Sequence, residues 1–295
     1  MPCVQGVLVQ KVAIVVDSIA CLTPEMVRQY QLRILPINIH FDGNLYRNGV
    51  DMTSTEAYRL LEKAPDHFAS SPASIGEYVG AYREASAHAE NILCITLSSK
   101  LSTLYNMAHL AKEEAKNELP QTTIEVLDSK TAAVGEGLVV SSAAQAAAEG
   151  KNLAEVTKVA EAVRDKVTVI GIMETIRHVY RTGRIPKITA RVGSMLNIKP
   201  IFTISEGVIR VAGLCRNKEQ AVKRALNMMR KKVGASPVHV AVAHADALEE
   251  GERLKERISS EFNCVELWLT DFSPIMGYAT GAGVLAIAFY TDAKG

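Results

Sequence analysis

The chain is poor in the features that announce most function classes. Only five of its 295 residues are cysteine, at positions 3, 21, 94, 215 and 264, with no C-x-x-C pair. An odd, scattered set excludes a disulfide framework and a structural zinc site, and it fits a reducing cytoplasm. Charge of neither sign dominates: 33 Lys and Arg face 32 Asp and Glu. No domain-wide basic field exists to hold a phosphate backbone, so nucleic acid is not an expected partner. No apolar run approaches the roughly 20 residues that span a bilayer, and Met1–Gln10 lacks the basic start of a secretory signal. H-E-x-x-H, G-x-S-x-G and Walker loops are all missing, which leaves the seven histidines without a metal-binding or hydrolase context. Gly281, Gly283 and Ala286 form a G-x-G-x-x-A match, but a strand-like run follows it where a dinucleotide site needs a helix. No cofactor is expected.

What is present alternates. Short β-branched runs at 11–16, 91–97 and 122–127 end in turn residues and are each followed by helical periodicity, as in parallel strands with right-handed crossovers. Arg33–Phe41 reads as one further strand, Pro65–Ser74 as a loop, and Thr53 or Ser54 as the cap of a helix. After about residue 165 the pattern changes. A strand at 166–172, a short helix at 174–180, a hairpin turning at Ser205-Glu206-Gly207 and two helices between later strands suggest an α+β arrangement. The expected architecture is therefore an α/β protein: an N-terminal parallel-sheet domain over 1–165 and a C-terminal α+β domain over 166–295.

Ligands of open α/β sheets bind beyond the carboxyl ends of the strands. Three such ends carry Asp17-Ser18, Ser98-Ser99 and Asp128-Ser129, and Ser98 and Ser99 also precede a helix, where backbone amides favour an anion. The same serines also suit ordinary helix caps. The hydroxyl-rich stretch Ser70-Ser71-Pro72-Ala73-Ser74 is a second anion candidate or a surface linker. Arg184, after Gly183, and Arg216, between strand and helix, have the fork that grips phosphate or carboxylate, or are solvated surface groups.

In order, the segments Val12–Leu22, Ile34–Ile37, Ser70–Ser74, Leu97–Asn106, Val126–Ser129, Gly183–Ile185, Leu196–Ile201 and Gly277–Gly283 resemble the DegV family of bacterial fatty-acid-binding proteins, over about residues 11–292. The resemblance implies a long-chain fatty acid in a tunnel between the two domains. Its carboxylate would be held by hydroxyls that map to Ser70, Ser71, Ser98 or Ser99, and Thr280. It further implies a partner fatty acid kinase, with Arg184 and Arg216 facing the partner or its phosphate, and brief contact with a membrane surface. The chain departs from the family pattern at Ala279, where a histidine is usual, so Tyr278, Thr280 or His244 would have to replace it. Burying a 16-carbon tail at ~0.8 kcal/mol per methylene gives a gross gain on the order of 12 kcal/mol, partly offset by ordering and association. Two other readings stand beside the carrier: a serine-dependent acyl hydrolase or transferase using Ser98, and a sensor of another small anion.

Overall fold

The computed structural model describes residues 10–175, 183–184 and 198–292. Along the chain, β1 is Gln10–Asp17, α1 Pro24–Gln29, β2 Arg33–Leu35, β3 Asn38–Phe41, β4 Asn44–Arg47 and α2 Ser54–Lys63. Then come β5 Phe68–Ser71, α3 Ile75–Ser86, β6 Ala89–Thr96, α4 Leu104–Glu118, β7 Thr123–Asp128, α5 Val134–Ala148 and α6 Leu153–Arg164. The second half holds β8 Thr168–Ile172, β9 Lys199–Ser205, β10 Val208–Cys215, α7 Lys218–Val233, β11 Val238–His244, α8 Leu248–Glu261, β12 Cys264–Asp271, α9 Pro274–Thr280 and β13 Leu285–Tyr290.

The first sheet is parallel throughout, in the order β2-β1-β6-β7. Its inner strands are buried on both faces, which explains why Val12–Val16 and Ile92–Ile95 are near-continuous apolar runs. A small antiparallel sheet, β4-β3-β5, sits beside it. The third sheet has six strands, β10-β9-β8-β13-β11-β12, antiparallel except for β11 and β12. The expected boundary at 165 falls in the turn between α6 and β8.

Two local expectations are corrected. Arg33–Phe41 is not one strand: Pro36, which has no N–H to donate, separates β2 from β3, and the two pieces join different sheets. The stretch 65–74 is not simply loop, because Phe68–Ser71 pairs with β3 as β5. The short helix expected over 174–180 lies mostly outside the described residues.

α5 joins the halves. It is apolar on nearly every side and packs against β1 of the first sheet and β11 and β13 of the third. A Cβ on Gly137 would lie 2.6 Å from the Ala20 carbonyl oxygen and 3.0 Å from the Trp268 ring, so the helix lies against both halves at that point. Capping boxes at Thr53/Glu56, Ser74/Glu77 and Asn152/Glu155 fix the starts of α2, α3 and α6.

Candidate functional site: an amphiphilic cavity at the junction

Because β1, β6 and β7 run parallel, their polar carboxyl ends meet on one edge of the sheet. Most of these groups are already engaged in hydrogen bonds. The Asp17 carboxylate accepts hydrogen bonds from the backbone N–H of Ile19 and of Leu97, each at 2.9 Å. It also faces Glu136 of α5, which is fully buried and whose oxygens find no N–H or O–H donor among the described residues. Burial, and then the charge of Asp17, push the Glu136 acid well above the usual carboxylate range. Burial pushes the Asp17 acid up as well, but two backbone amides hold it down, and Glu136, which has none, is the more strongly raised of the pair. Ser18 accepts from Ile37 N–H at 3.1 Å and from Asn48 Nδ2 at 2.8 Å. Ser99 Oγ donates to Asp128 Oδ2 at 2.5 Å.

Above this edge lies a cavity of about 380 Å³. Its buried lining is mainly aliphatic, with Ile19, Ile37 and Leu97 from the first half and Ile275 from α9, and Thr280 adds a buried hydroxyl. Its exposed lining is polar, with Ser99, Lys100 and Thr103 around the start of α4 and Arg184 nearby. Ile209 of β10 and Met276, Tyr278, Ala279 and Thr280 of α9 complete the wall.

α9 is held in place by the N-terminal half. Asn48 Nδ2 bridges Ser18 Oγ and Ser273 Oγ, at 2.8 and 3.1 Å. Tyr58 donates its hydroxyl to the Phe272 carbonyl at 3.1 Å, and Gly277 lies so close to the Tyr58 ring that a Cβ there would sit 2.2 Å from it. Tyr278 stacks on Phe68 with centroids 5.1 Å apart.

Of the residues singled out from the sequence, Ser70, Ser71, Ser99, Arg184 and Thr280 line this cavity. The small sheet separates the two adjacent serines. Ser70 pairs with Ile39, and Phe68 with Phe41, so strand alternation puts Ser70 on the buried face. Ser71 projects from the opposite face, where its hydroxyl lies 2.8 Å from His40 Nε2. The hydroxyls of Ser70 and Thr103 make no hydrogen bond among the described residues. Thr280 Oγ1 already donates to the Met276 carbonyl at 2.7 Å.

One expectation needs correction. Ser98 does not line the cavity: it is fully buried, and its hydroxyl donates to the Gly207 carbonyl at 2.8 Å. Arg216, expected to face a partner, is exposed just before α7 and is not part of the cavity lining. Of the three stand-ins for the absent histidine, Tyr278 and Thr280 line the cavity. His244 is buried outside the lining, and its Nδ1 accepts from Ala247 N–H at 3.3 Å. Lys100, Ser102 and Thr103 also line the cavity and were not singled out. Their signal was the run Lys100-Leu101-Ser102-Thr103 just before α4, whose first turn has no side-chain cap on Thr103.

The arrangement suits a molecule with an anionic end and an apolar body. Hydroxyls, a helix start and two cations occupy the exposed side, and branched aliphatic side chains the buried side. Among the described residues no cluster of His, Cys, Asp and Glu is placed to hold a metal ion, and no helix is long and apolar enough to cross a membrane.

The fold and cavity together define a three-sheet α/β protein with an amphiphile-shaped site at the junction of its halves. Residues 11–292 match the family model described as "Uncharacterised protein, DegV family", and the chain belongs to the DegV family. A DegV domain-containing protein of Clostridium acetobutylicum is 28% identical over 284 residues, covering 95% of this chain and 99% of the relative. Among solved structures, a fatty-acid-binding DegV family protein from Thermus thermophilus superposes with a TM-score of 0.86 at 25% identity, over 95% of this chain and 99% of its own. DegV from Bacillus subtilis, described as a fatty acid binding protein, shares the fold with a TM-score of 0.85 at 24% identity, over 96% of this chain and 100% of its own.

Proposed function

We propose that this protein binds a long-chain fatty acid in the junction cavity, as a cytoplasmic carrier that shields the tail and presents the carboxylate to a separate kinase. The observation that carries the proposal is the polarity of the cavity, mainly aliphatic where buried and hydroxyl-bearing and cationic where exposed. The fatty-acid-binding DegV protein from Thermus thermophilus supports it. Ser70 and Thr103 are the head-group donors, because their hydroxyls are not otherwise engaged. Lys100 and Arg184 supply the compensating charge. Ala279 lines the cavity without a polar atom, so these groups take the place of the usual histidine.

The test is displacement of a fluorescent fatty acid by palmitate and by its methyl ester. Ser70→Ala should weaken palmitate binding by about 1–3 kcal/mol, the loss of one hydrogen bond to a charged group, and leave the ester nearly unaffected. Equal weakening of acid and ester would move the head group elsewhere.

One observation favours an acyl hydrolase as a second reading: the approach of Ser71 Oγ to His40 Nε2, a nucleophile and base within hydrogen-bond reach. No carboxylate orients His40 among the described residues, and its partner serine is on the outer face of β5. Ester turnover by the wild type that Ser71→Ala abolishes would establish this reading in place of the carrier.

A further inference from the structure

The β9–β10 hairpin is joined to the N-terminal half at its tip. Glu206 and Gly207 both have positive φ, 52° and 77°, as a tight two-residue hairpin turn requires. The turn presents two carbonyl groups to the loop after β6. Gly207 O accepts from the buried Ser98 hydroxyl at 2.8 Å, and Glu206 O accepts from Lys100 Nζ at 2.8 Å. The approach is close: a Cβ on Gly207 would lie 2.6 Å from Ser98 Oγ. Among the described residues β10 is an edge strand, paired only with β9, and two residues beyond the turn its Ile209 lines the junction cavity. Lys100 lines the same cavity.

From this geometry we infer that Ser98 and Lys100 are positioning residues that clasp the hairpin tip, and that the turn and the outer strand β10 form the wall that swings aside to admit and release the ligand. The inference rests on the fatty-acid reading. β10 has the described sheet on one side only, so displacing it with the turn breaks the clasp and the near part of its ladder with β9, while β9 keeps its pairing with β8 over Ile201–Ile204. A buried hydroxyl bonded to a carbonyl across the junction is a discrete two-state contact, either made or broken. Free and loaded protein both have the clasp closed. Weakening it lowers the barrier to opening in either direction, and so speeds entry and exit together. A head-group role for Ser98 would act differently, since it would be felt only by a ligand with a carboxylate.

The experiment is stopped-flow exchange of a bound fluorescent fatty acid, repeated with the uncharged fatty alcohol of the same chain length, on the full chain. Ser98→Ala should raise the release rate on the order of tenfold for both ligands, the effect of one lost hydrogen bond on a barrier. Lys100→Met removes the second strut at an exposed position where folding is not at stake, and should also raise the release rate of the alcohol. Faster release of the acid alone would assign Ser98 to the head group and overturn the inference. Wild-type release rates in both variants would overturn it while leaving the fatty-acid reading intact. Failure of the wild type to take up either ligand would overturn both.

Discussion

The two main sheets meet the cavity in opposite ways. In the parallel sheet every strand ends on the same edge, so the turns after β1, β6 and β7 gather Asp17, Ser18, Ser98, Ser99, Asp128 and Ser129 there. In the six-stranded sheet, most neighbours are antiparallel and send alternate ends to opposite edges. That sheet contributes side elements instead, the β9–β10 hairpin and the short helix α9. Strand direction thus separates two tasks. The parallel half supplies a row of hydrogen-bonded polar turns together with the aliphatic Ile19, Ile37 and Leu97, and the C-terminal half closes the cavity over them with Ile209 and α9.

The comparison breaks most severely at the helix shared by both halves. Leu138 of α5 is fully buried, and Leu138→Ala should cost about 2–5 kcal/mol in urea unfolding, with both halves unfolding in one transition. Leu110→Ala, at an exposed position on α4, should cost less than about 0.5 kcal/mol. Two separate transitions for Leu138→Ala would mean that α5 belongs to one half only.

Gly277→Ala tests the C-terminal closure without touching the polar turns. The new methyl meets the Tyr58 ring and should cost about 1–3 kcal/mol, and fatty-acid binding should fall with it because α9 shifts. Normal binding at reduced stability would show that α9 is dispensable to the cavity.

Glu136→Gln tests the parallel half. Glu136 holds its proton in the folded state at pH values where the unfolded chain has lost it. Its contribution is therefore fully present below the unfolded carboxylate range and is lost as pH rises toward the raised folded value. The amide keeps a donor for Asp17 and removes this penalty. Thermal unfolding should show the variant gaining on the wild type at pH 8 relative to pH 5. A constant difference across that range would mean that Glu136 is ionised in the fold.

The smallest effect on binding is expected at the rim. Arg184 is exposed, and Arg184→Ala should change fatty-acid affinity by less than about 1 kcal/mol while slowing acyl-phosphate formation by an added fatty acid kinase. Equal losses in the two assays would make Arg184 a lipid ligand only.

Much of this was legible in the sequence. Apolar runs ending in Asp-Ser or Ser-Ser gave the strands and placed three polar turns on one edge. The ordered motifs gave the family. What stayed hidden depends on pairings distant in sequence. The partner of Ser98 is a carbonyl group 109 residues downstream, so its hydroxyl read as free for a ligand. Ser70 and Ser71 are separated only by the register of β5 on β3, and β5 was obscured by its serines and the flanking prolines. Glu136 sits in an alanine- and valine-rich helix that gave no sign of facing Asp17. α9 was not legible as a helix, since its glycine, which serves the close approach to Tyr58, lay in a glycine cluster.

The central claim is that the junction cavity holds a fatty acid. Native mass spectrometry of the purified protein, repeated after organic extraction, tests it most directly. The account predicts one long-chain fatty acid per chain, released by extraction and taken up again on addition. A protein that is empty as purified and remains empty in the presence of added fatty acid would contradict it.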